Sequence, residues 1–351
     1  MHNTASAAAT HVANDMLLFL QPDIAPIDNL PAGRELSFGG PAFGTTWSVR
    51  LVMKGQTGPA RLLQRREALQ RQCESVLALI DQQMSLWIPE SHISRYNGLA
   101  DGQSMPLPEP MRGLVIEAMA LHRETHGAFD PFIGEATDLW GFGPVAVPEG
   151  LPAGKTLHAL RARRANTRPD FTGGHLVRKA GHALDLCGIA KGYAVDLIAE
   201  RMLGEHDVAS VLVEVGGEIK GHGVKNNGMP WWVDLQWPDI GSDIRLRVAL
   251  HGWACASSGT GERYFELGHR RYSHAIDPVS AEPVHRDLGG VAVLDPLCWR
   301  ADALATALLV AGRERAIALA ERLSLPCVLH SAPESQPPYY SSALQRWLSD
   351  D

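Results

Sequence analysis

The sequence predicts an α+β fold in which antiparallel sheets carry packed helices. Strand-like apolar segments crowd the region after the middle of the chain, at Val211–Val215, Trp231–Trp237 and Ile244–Leu250. Helical periodicity falls in other stretches, at about 60–84, 110–126, 300–311 and 313–324, and through Ala194–Met202. Strands in runs, with helices gathered elsewhere, suit antiparallel sheets.

In chain order, no Lys or Arg precedes Arg34, and the one dense apolar run there is Met16–Leu20. That run is too short for a membrane span and weak as the core of an export signal. Residues 1–35 are therefore expected to be a flexible tail, with a processed or replaced export signal left open. A single folded region is expected over 36–333, followed by a C-terminal tail over 334–351. Gly44-Thr45-Thr46-Trp47 opens a strand that alternates through Val49 and Leu51. Leu69, Cys73, Val76, Ile80 and Met84 then form one stripe of an amphipathic helix. Pro89 is expected to stop it, and Ser91 to cap a short turn reaching Asn97. The next helix points Met111, Leu114, Val115, Ala118 and Leu121 inward. Residues 144–182, rich in Pro, Gly and Arg, read as a variable connection; the Arg161, Arg163, Arg164 cluster in it reads as a solvated helix face. Leu184–Leu186 reads as a strand end, and Ala194, Val195, Ile198 and Met202 as the inner face of a helix. Ile244, Leu246, Val248 and Leu250 alternate with polar neighbours, so one face of that strand should be wet. Short strands follow near 253–257, 263–267, 271–276 and 289–294, and a last one at Cys327–Leu329.

Composition narrows the function. The chain has 351 residues, 45% hydrophobic and 20% charged, with a formal net charge of -7. These values suit a globular protein able to bury a large core. The negative balance and the lack of any Lys/Arg run argue against nucleic acid as the main partner. Five scattered cysteines without a CxxC argue against a zinc site or a disulfide framework.

Residues 184–196, Leu-Asp-Leu-Cys-Gly-Ile-Ala-Lys-Gly-Tyr-Ala-Val-Asp, organise the chemistry. A glycine-bearing turn with Lys191 at a helix N-terminus suits an anion, because free N–H groups and the helix dipole face it. The spacing matches neither a P-loop nor a dinucleotide fingerprint, and an ordinary strand–helix junction with a surface lysine remains an alternative. Asp302 and Thr306 lie one turn apart on an apolar helix, an all-oxygen pair of the kind Mg²⁺ prefers. The competing reading makes Asp302 a helix N-cap after Arg300. His274 and Asp277 flank a strand end stopped by Pro278 and suggest a histidine base near a carboxylate. Ser257-Ser258-Gly259 and Gly216-Gly217-Glu218 permit close backbone approach.

Taken together, these segments resemble the ApbE-type FAD:protein FMN transferases, first described as thiamine-biosynthesis lipoproteins. The resemblance is carried, in the family's order, by Phe43-Gly44-Thr45, Ser85-x-Trp87-x-Pro89-x-Ser91, Gly127-Ala-Phe-Asp130-Pro, the central turn, Gly216-Gly217, Ser257-Ser-Gly259, His274-x-Ile-Asp-Pro278 and Ala301-Asp-Ala-x-x-Thr306. It implies that Phe43 and Trp87 stand at the flavin end, Ala128, Phe129 and Asp130 at the adenosine part, and Asp185, Lys191, Ser258 and Ile276 at further FAD-contacting positions. It further implies Mg²⁺ on Asp302, Thr306 and the carbonyl of Gly188, and His274 with Asp277 as the catalytic pair. The implied reaction is Mg²⁺-dependent transfer of FMN from FAD to a Thr or Ser hydroxyl of an acceptor flavoprotein, with release of AMP. A Mg²⁺-dependent FAD pyrophosphatase and a non-catalytic FAD-binding protein are the alternatives. Cys187 replaces a usual glycine, Glu218 a usual Asp or Asn, and Ser257 a usual Thr. The lipobox cysteine of many members is missing, since Cys73 is the first cysteine; the compartment is left open.

Overall fold

The computed structural model describes residues 16–22, 30–55, 58–145, 150–235, 244–261, 263–284, 287–332 and 336–348. Its centre is an eight-stranded antiparallel sheet whose spatial order equals its chain order. The strands are Glu35–Ala42, Thr45–Met53, Val208–Val215, Glu218–His222, Trp253–Gly259, Leu288–Asp295, Cys327–Ser331 and Tyr339–Tyr340. Everything else is an excursion from this meander. The helices are α1 (Pro59–Met84), α2 (His92–Asn97), α3 (Met111–Glu124), α4 (Gly134–Leu139), α5 (Gly154–Asn166), α6 (Ala190–Leu203), α7 (Cys298–Ala311), α8 (Arg313–Arg322) and α9 (Ser342–Gln345).

Period-two patterning sets the register. Val49, Leu51, Val211, Val213, Val215, Val291 and Val293 face α1, α6 and α7 in the main core. Their alternate neighbours Val52, Leu212, Cys255, Ala292, Leu294 and Val328 face the opposite side. There a second sheet, formed by Met16–Leu20, Ile244–Leu250 and Trp231–Leu235, supplies Leu20, Trp231, Leu246 and Val248. A one-residue slip would exchange the two sets, and each fully buried Val or Leu is worth about 1.5–3 kcal/mol. A third cluster joins Trp140, Phe142, Leu157 and Leu160 to Tyr272, Ile276 and Ala281. In it the Trp140 indole N–H donates to the Ala281 carbonyl at 2.8 Å, and Phe265 stacks on Tyr272 at 5.1 Å.

The α+β expectation holds, as do the main helices and their inward stripes. Several details differ. The Met16–Leu20 segment is a strand paired parallel to Ile244–Leu250, with Leu20 fully buried, so the expected tail does not extend through it. The expected C-terminal tail likewise contains a strand pairing with Cys327–Ser331, and a fully buried Leu344. The helix α1 stops at Met84, before Pro89; the Ser91 hydroxyl then donates to the Ser85 carbonyl at 2.7 Å and accepts from the Ser94 N–H, capping α2. Leu184–Leu186 is no strand: Leu184 pairs with the amide of Asn97, donating to its Oδ1 at 2.7 Å and accepting from its Nδ2 at 2.8 Å. A side chain does there what a neighbouring strand would do. Alternation in Ile244–Leu250 is incomplete, because Ala249 is buried too. Residues 236 and 237, the end of the expected strand Trp231–Trp237, lie outside the described residues, as do residues 1–15. Among the described residues no helix is long and apolar enough to cross a membrane.

Candidate active site

The central turn is braced from three sides before any ligand is considered. The Asp185 N–H donates to the Pro131 carbonyl at 2.7 Å, and its carboxylate accepts from the Cys187 N–H at 2.9 Å. Gly192, in the first turn of α6, lies against the start of α7 so closely that a Cβ there would stand 2.4 Å from the Cys298 carbonyl oxygen. This crossing brings Asp302 onto the N-terminus of α6, where its Oδ2 accepts from the Gly192 N–H at 3.0 Å. Asp302 is therefore not the N-cap of its own helix, a place held by Leu297. It sits in the second turn of α7 and serves α6 instead.

The charges around it are unusually deep. Asp302 is 2% exposed and Glu218 1%. Burial raises both carboxyl groups; Glu218 is pushed to about 8 by burial first and then by the Asp302 charge, against the pull of Lys191. The ammonium of Lys191 donates to Glu218 Oε1 at 2.6 Å, while Glu218 Oε2 is buried without a hydrogen-bond partner. The hydroxyls of Ser258 and Thr306 lie 3.4 Å apart, and a Cβ on Gly188 would come within 3.0 Å of Thr306 Oγ1. Two buried carboxyl groups that share one lysine cannot both stay charged without a further cation, and one of their oxygens is unused. This all-oxygen donor set fits a hard divalent cation, which would repay the burial of two like charges.

Across the same groove stands His274. Its Nδ1 lies 3.0 Å from the carbonyl oxygen of Arg263, which can only accept, so Nδ1 carries the proton and Nε2 presents a lone pair. Burial, followed by the nearby Arg263 and Lys191 charges, lowers its pKa and favours the neutral ring. Phe142 meets the imidazole edge-on at 6.4 Å. Asp277 does not orient His274: its carboxylate accepts from the Val279 N–H at 2.9 Å and closes its own turn. Among the described residues no hydrogen bond joins Asp277 to the imidazole.

These groups line one cavity of about 360 Å³, within the usual range for a small-molecule site. It gathers Ala128, Phe129, Asp130, Asp185, Gly188, Lys191, Ser258, His274, Ile276, Asp302 and Thr306. Phe43, Trp87 and Asp277 are not in its lining. Phe43 sits half-buried at the tip of the hairpin joining the first two strands of the main sheet, at φ 52. Trp87 is 52% exposed beside the mouth, under the guanidinium of Arg263 at 5.8 Å.

Three contributors were not visible as site residues in the sequence. Arg263 and Phe142 line the groove, and Glu218 supplies its second carboxylate. Arg164 is the largest revision. Its side chain is 8% exposed and holds Asp130 at 2.5 Å, the Phe132 carbonyl at 2.6 Å and the Gly181 carbonyl at 2.9 Å. It is a buried strut behind the Ala128–Asp130 wall, whereas the sequence placed it on a solvated helix face.

Residues 43–329 match the family model described as "ApbE family". The chain is 31% identical over 318 residues to an FAD:protein FMN transferase of Vibrio cholerae, covering 90% of this chain and 93% of that one. A protein of the same description from Klebsiella pneumoniae is 31% identical over 300 residues, covering 84% and 83%. Among solved structures, the apo flavinyl transferase ApbE of Pseudomonas stutzeri superposes with a TM-score of 0.80 at 34% identity, covering 90% of this chain and 97% of that one. The flavin transferase ApbE of Vibrio cholerae gives 0.77 at 30% identity, covering 90% and 99%.

Proposed function

The chain belongs to the ApbE family, and from that premise we propose that it transfers FMN from FAD to a Thr or Ser hydroxyl of a target flavoprotein, with Mg²⁺ as cofactor and AMP as second product. One observation carries the reading. Segments separated by up to about a third of the chain deliver an anion-binding turn, an all-oxygen donor set and a neutral histidine to a single groove.

The roles follow from the chemistry of each group. The central turn and Lys191 bind the diphosphate of FAD, with Ala128, Phe129 and Asp130 on the adenosine side and Ser258 and Ile276 lining the groove. Asp302 and Thr306, with the Gly188 carbonyl, would hold Mg²⁺, which supplies neutralisation of the diphosphate charge. Glu218 keeps Lys191 in place. The acceptor hydroxyl oxygen attacks the FMN-side phosphorus, a new P–O bond forms, and the bond from that phosphorus to the bridging oxygen breaks. His274 Nε2 takes the hydroxyl proton, and AMP departs with the bridging oxygen. Such a transfer depends mainly on positioning and on charges prearranged around the phosphorus. Phe129, Phe142 and Ile276 make the walls apolar, which disfavours water as the competing nucleophile.

The test is to supply FAD, Mg²⁺ and candidate acceptors from the same genome, then follow covalent flavin fluorescence on the acceptor in a denaturing gel. Labelling that disappears when the acceptor's Thr is replaced by Ala is the expected result. An acceptor that never becomes labelled, while FAD is cleaved, would refute the reading.

A further inference from the structure

A second cavity, of about 540 Å³, adjoins the first and shares Asp130 and Pro278 with it. Its chemistry is opposite to that of the chain as a whole, whose formal net charge is -7. Arg161, Arg164 and Arg168 enter it from α5 and the residues just beyond, and Arg123 from the end of α3. His122, His126 and His182 also line it. Of the acidic lining, both Asp130 oxygens are bonded, to Arg164 and the Phe132 N–H, while the exposed Asp170 accepts from the Phe171 N–H and offsets one of the four guanidinium charges. Arg123 has no ion-pair or hydrogen-bond partner for its side chain among the described residues, and Arg161 reaches only the Ser280 carbonyl and, at 3.8 Å, Glu282. The local field is felt by His182, which burial and the Arg164 and Arg168 charges push below the usual histidine range.

The basic pocket is wired to the groove. The Arg168 guanidinium donates to His122 Nε2, and His122 Nδ1 donates to the Phe129 carbonyl at 2.9 Å. Arg164, with Nε buried and unpartnered, holds the same wall from behind. Whatever occupies this pocket therefore lies directly beside the Ala128–Asp130 wall. Fork-shaped guanidinium groups match carboxylates well, and the lining presents four of them beside three histidines and Phe132. Val279, 78% exposed, stands at its rim and leaves an apolar foothold for a chain passing over it.

We propose that this pocket is the docking subsite for acidic side chains of the acceptor protein, near the hydroxyl that becomes modified. The proposal rests on the transferase reading and names the chemistry of the partner: a segment carrying Asp or Glu close to its Thr or Ser. Arg123 and Arg161 would meet the carboxylates, Arg164 and Arg168 would fix the wall, and the seated segment would present its hydroxyl to the neighbouring groove.

The experiment uses two fluorescein-labelled 15-residue peptides with one central Thr, flanked by four Asp in one and four Asn in the other. Both are titrated onto the FAD-loaded protein, and onto an Arg123→Glu/Arg161→Glu double variant. The Asp peptide should bind the unaltered protein about tenfold or more tighter than the Asn peptide, with a preference that fades as salt rises. The double variant should lose that preference while its FAD affinity is unchanged. Equal binding of the two peptides would overturn the proposal. A double variant that loses FAD affinity in parallel would also overturn it, by assigning the pocket to the diphosphate of FAD. Peptide binding is read without turnover, so its failure stands apart from a failure of FMN transfer.

Discussion

Replacing Asp302 by Asn separates the metal-binding role of this residue from its structural one. The carboxylate is 2% exposed and accepts from the Gly192 N–H at 3.0 Å. An amide oxygen can keep that bond, whose net worth is about 1 kcal/mol. Removing the charge also removes one of the causes that push Glu218 to about 8, so Glu218 moves back toward the ordinary carboxylate range. Burying a lone carboxylate costs several kcal/mol, and the metal-free variant should therefore be as stable as the parent to within about 1–2 kcal/mol. The effect on a cation is larger. A carboxylate about 4 Å from a cation at an effective dielectric of about 20 contributes about 4 kcal/mol for each unit of the cation's charge, so losing it costs a divalent ion at least roughly a thousandfold in affinity. AMP release measured against Mg²⁺ concentration, alongside thermal unfolding without metal, reads both effects. A half-saturating Mg²⁺ concentration raised about a thousandfold, or activity lost outright, is expected with an unfolding midpoint near that of the parent. An unchanged Mg²⁺ requirement would refute the assignment of Asp302 as a ligand.

His274→Ala should hold FAD within about tenfold of the parent while lowering the transfer rate by roughly 10²–10⁴; equal losses in both would make it a positioning residue. Because burial lowers the His274 pKa from its ordinary 6.5 and the neutral ring is the active form, the parent's rate should persist as pH falls past 6.5. It should decline only below that value, an acid limb that a stopped-flow profile would show or deny. Gly192→Ala puts a Cβ 2.4 Å from the Cys298 carbonyl oxygen, so urea unfolding should show a loss of about 1–3 kcal/mol or more from forced separation of α6 and α7. Arg164→Met strands Asp130 in a buried place, and a loss of about 3–5 kcal/mol is expected by the same method; a change below about 0.5 kcal/mol would return Arg164 to the solvated surface.

Elements whose apolar period matches their burial were legible in the sequence. The stripe Leu69, Cys73, Val76, Ile80, Met84 and the alternating valines of Val208–Val215 are buried as their spacing requires. Missed strands are those whose residues do not alternate by polarity. Glu35–Ala42 contains Gly39, Gly40 and Pro41 and is buried chiefly at Phe38, being an edge strand. Glu218–His222 turns Glu218 and Lys220 inward, where they pair with Lys191 and Asp196 at 2.6 and 2.5 Å, so its inner face reads as polar. Residues of the site whose chemistry lies in the side chain, such as Asp302, Thr306, Lys191 and His274, could be chosen from motif and spacing. Arg164 could not, since its burial depends on Asp130, 34 residues earlier. Arg263 could not either, because it fixes the tautomer of His274 through a backbone carbonyl that any residue could supply. Asp277 misled for the related reason that three residues of separation do not say which way a turn points a carboxylate.

The most direct measurement of the central claim is the intact mass of an acceptor flavoprotein after incubation with this protein, FAD and Mg²⁺, with AMP quantified in the same sample. An acceptor heavier by FMN less water is expected, with one AMP formed for each acceptor modified. AMP and free FMN accumulating in equal amounts, with the acceptor mass unchanged, would contradict it.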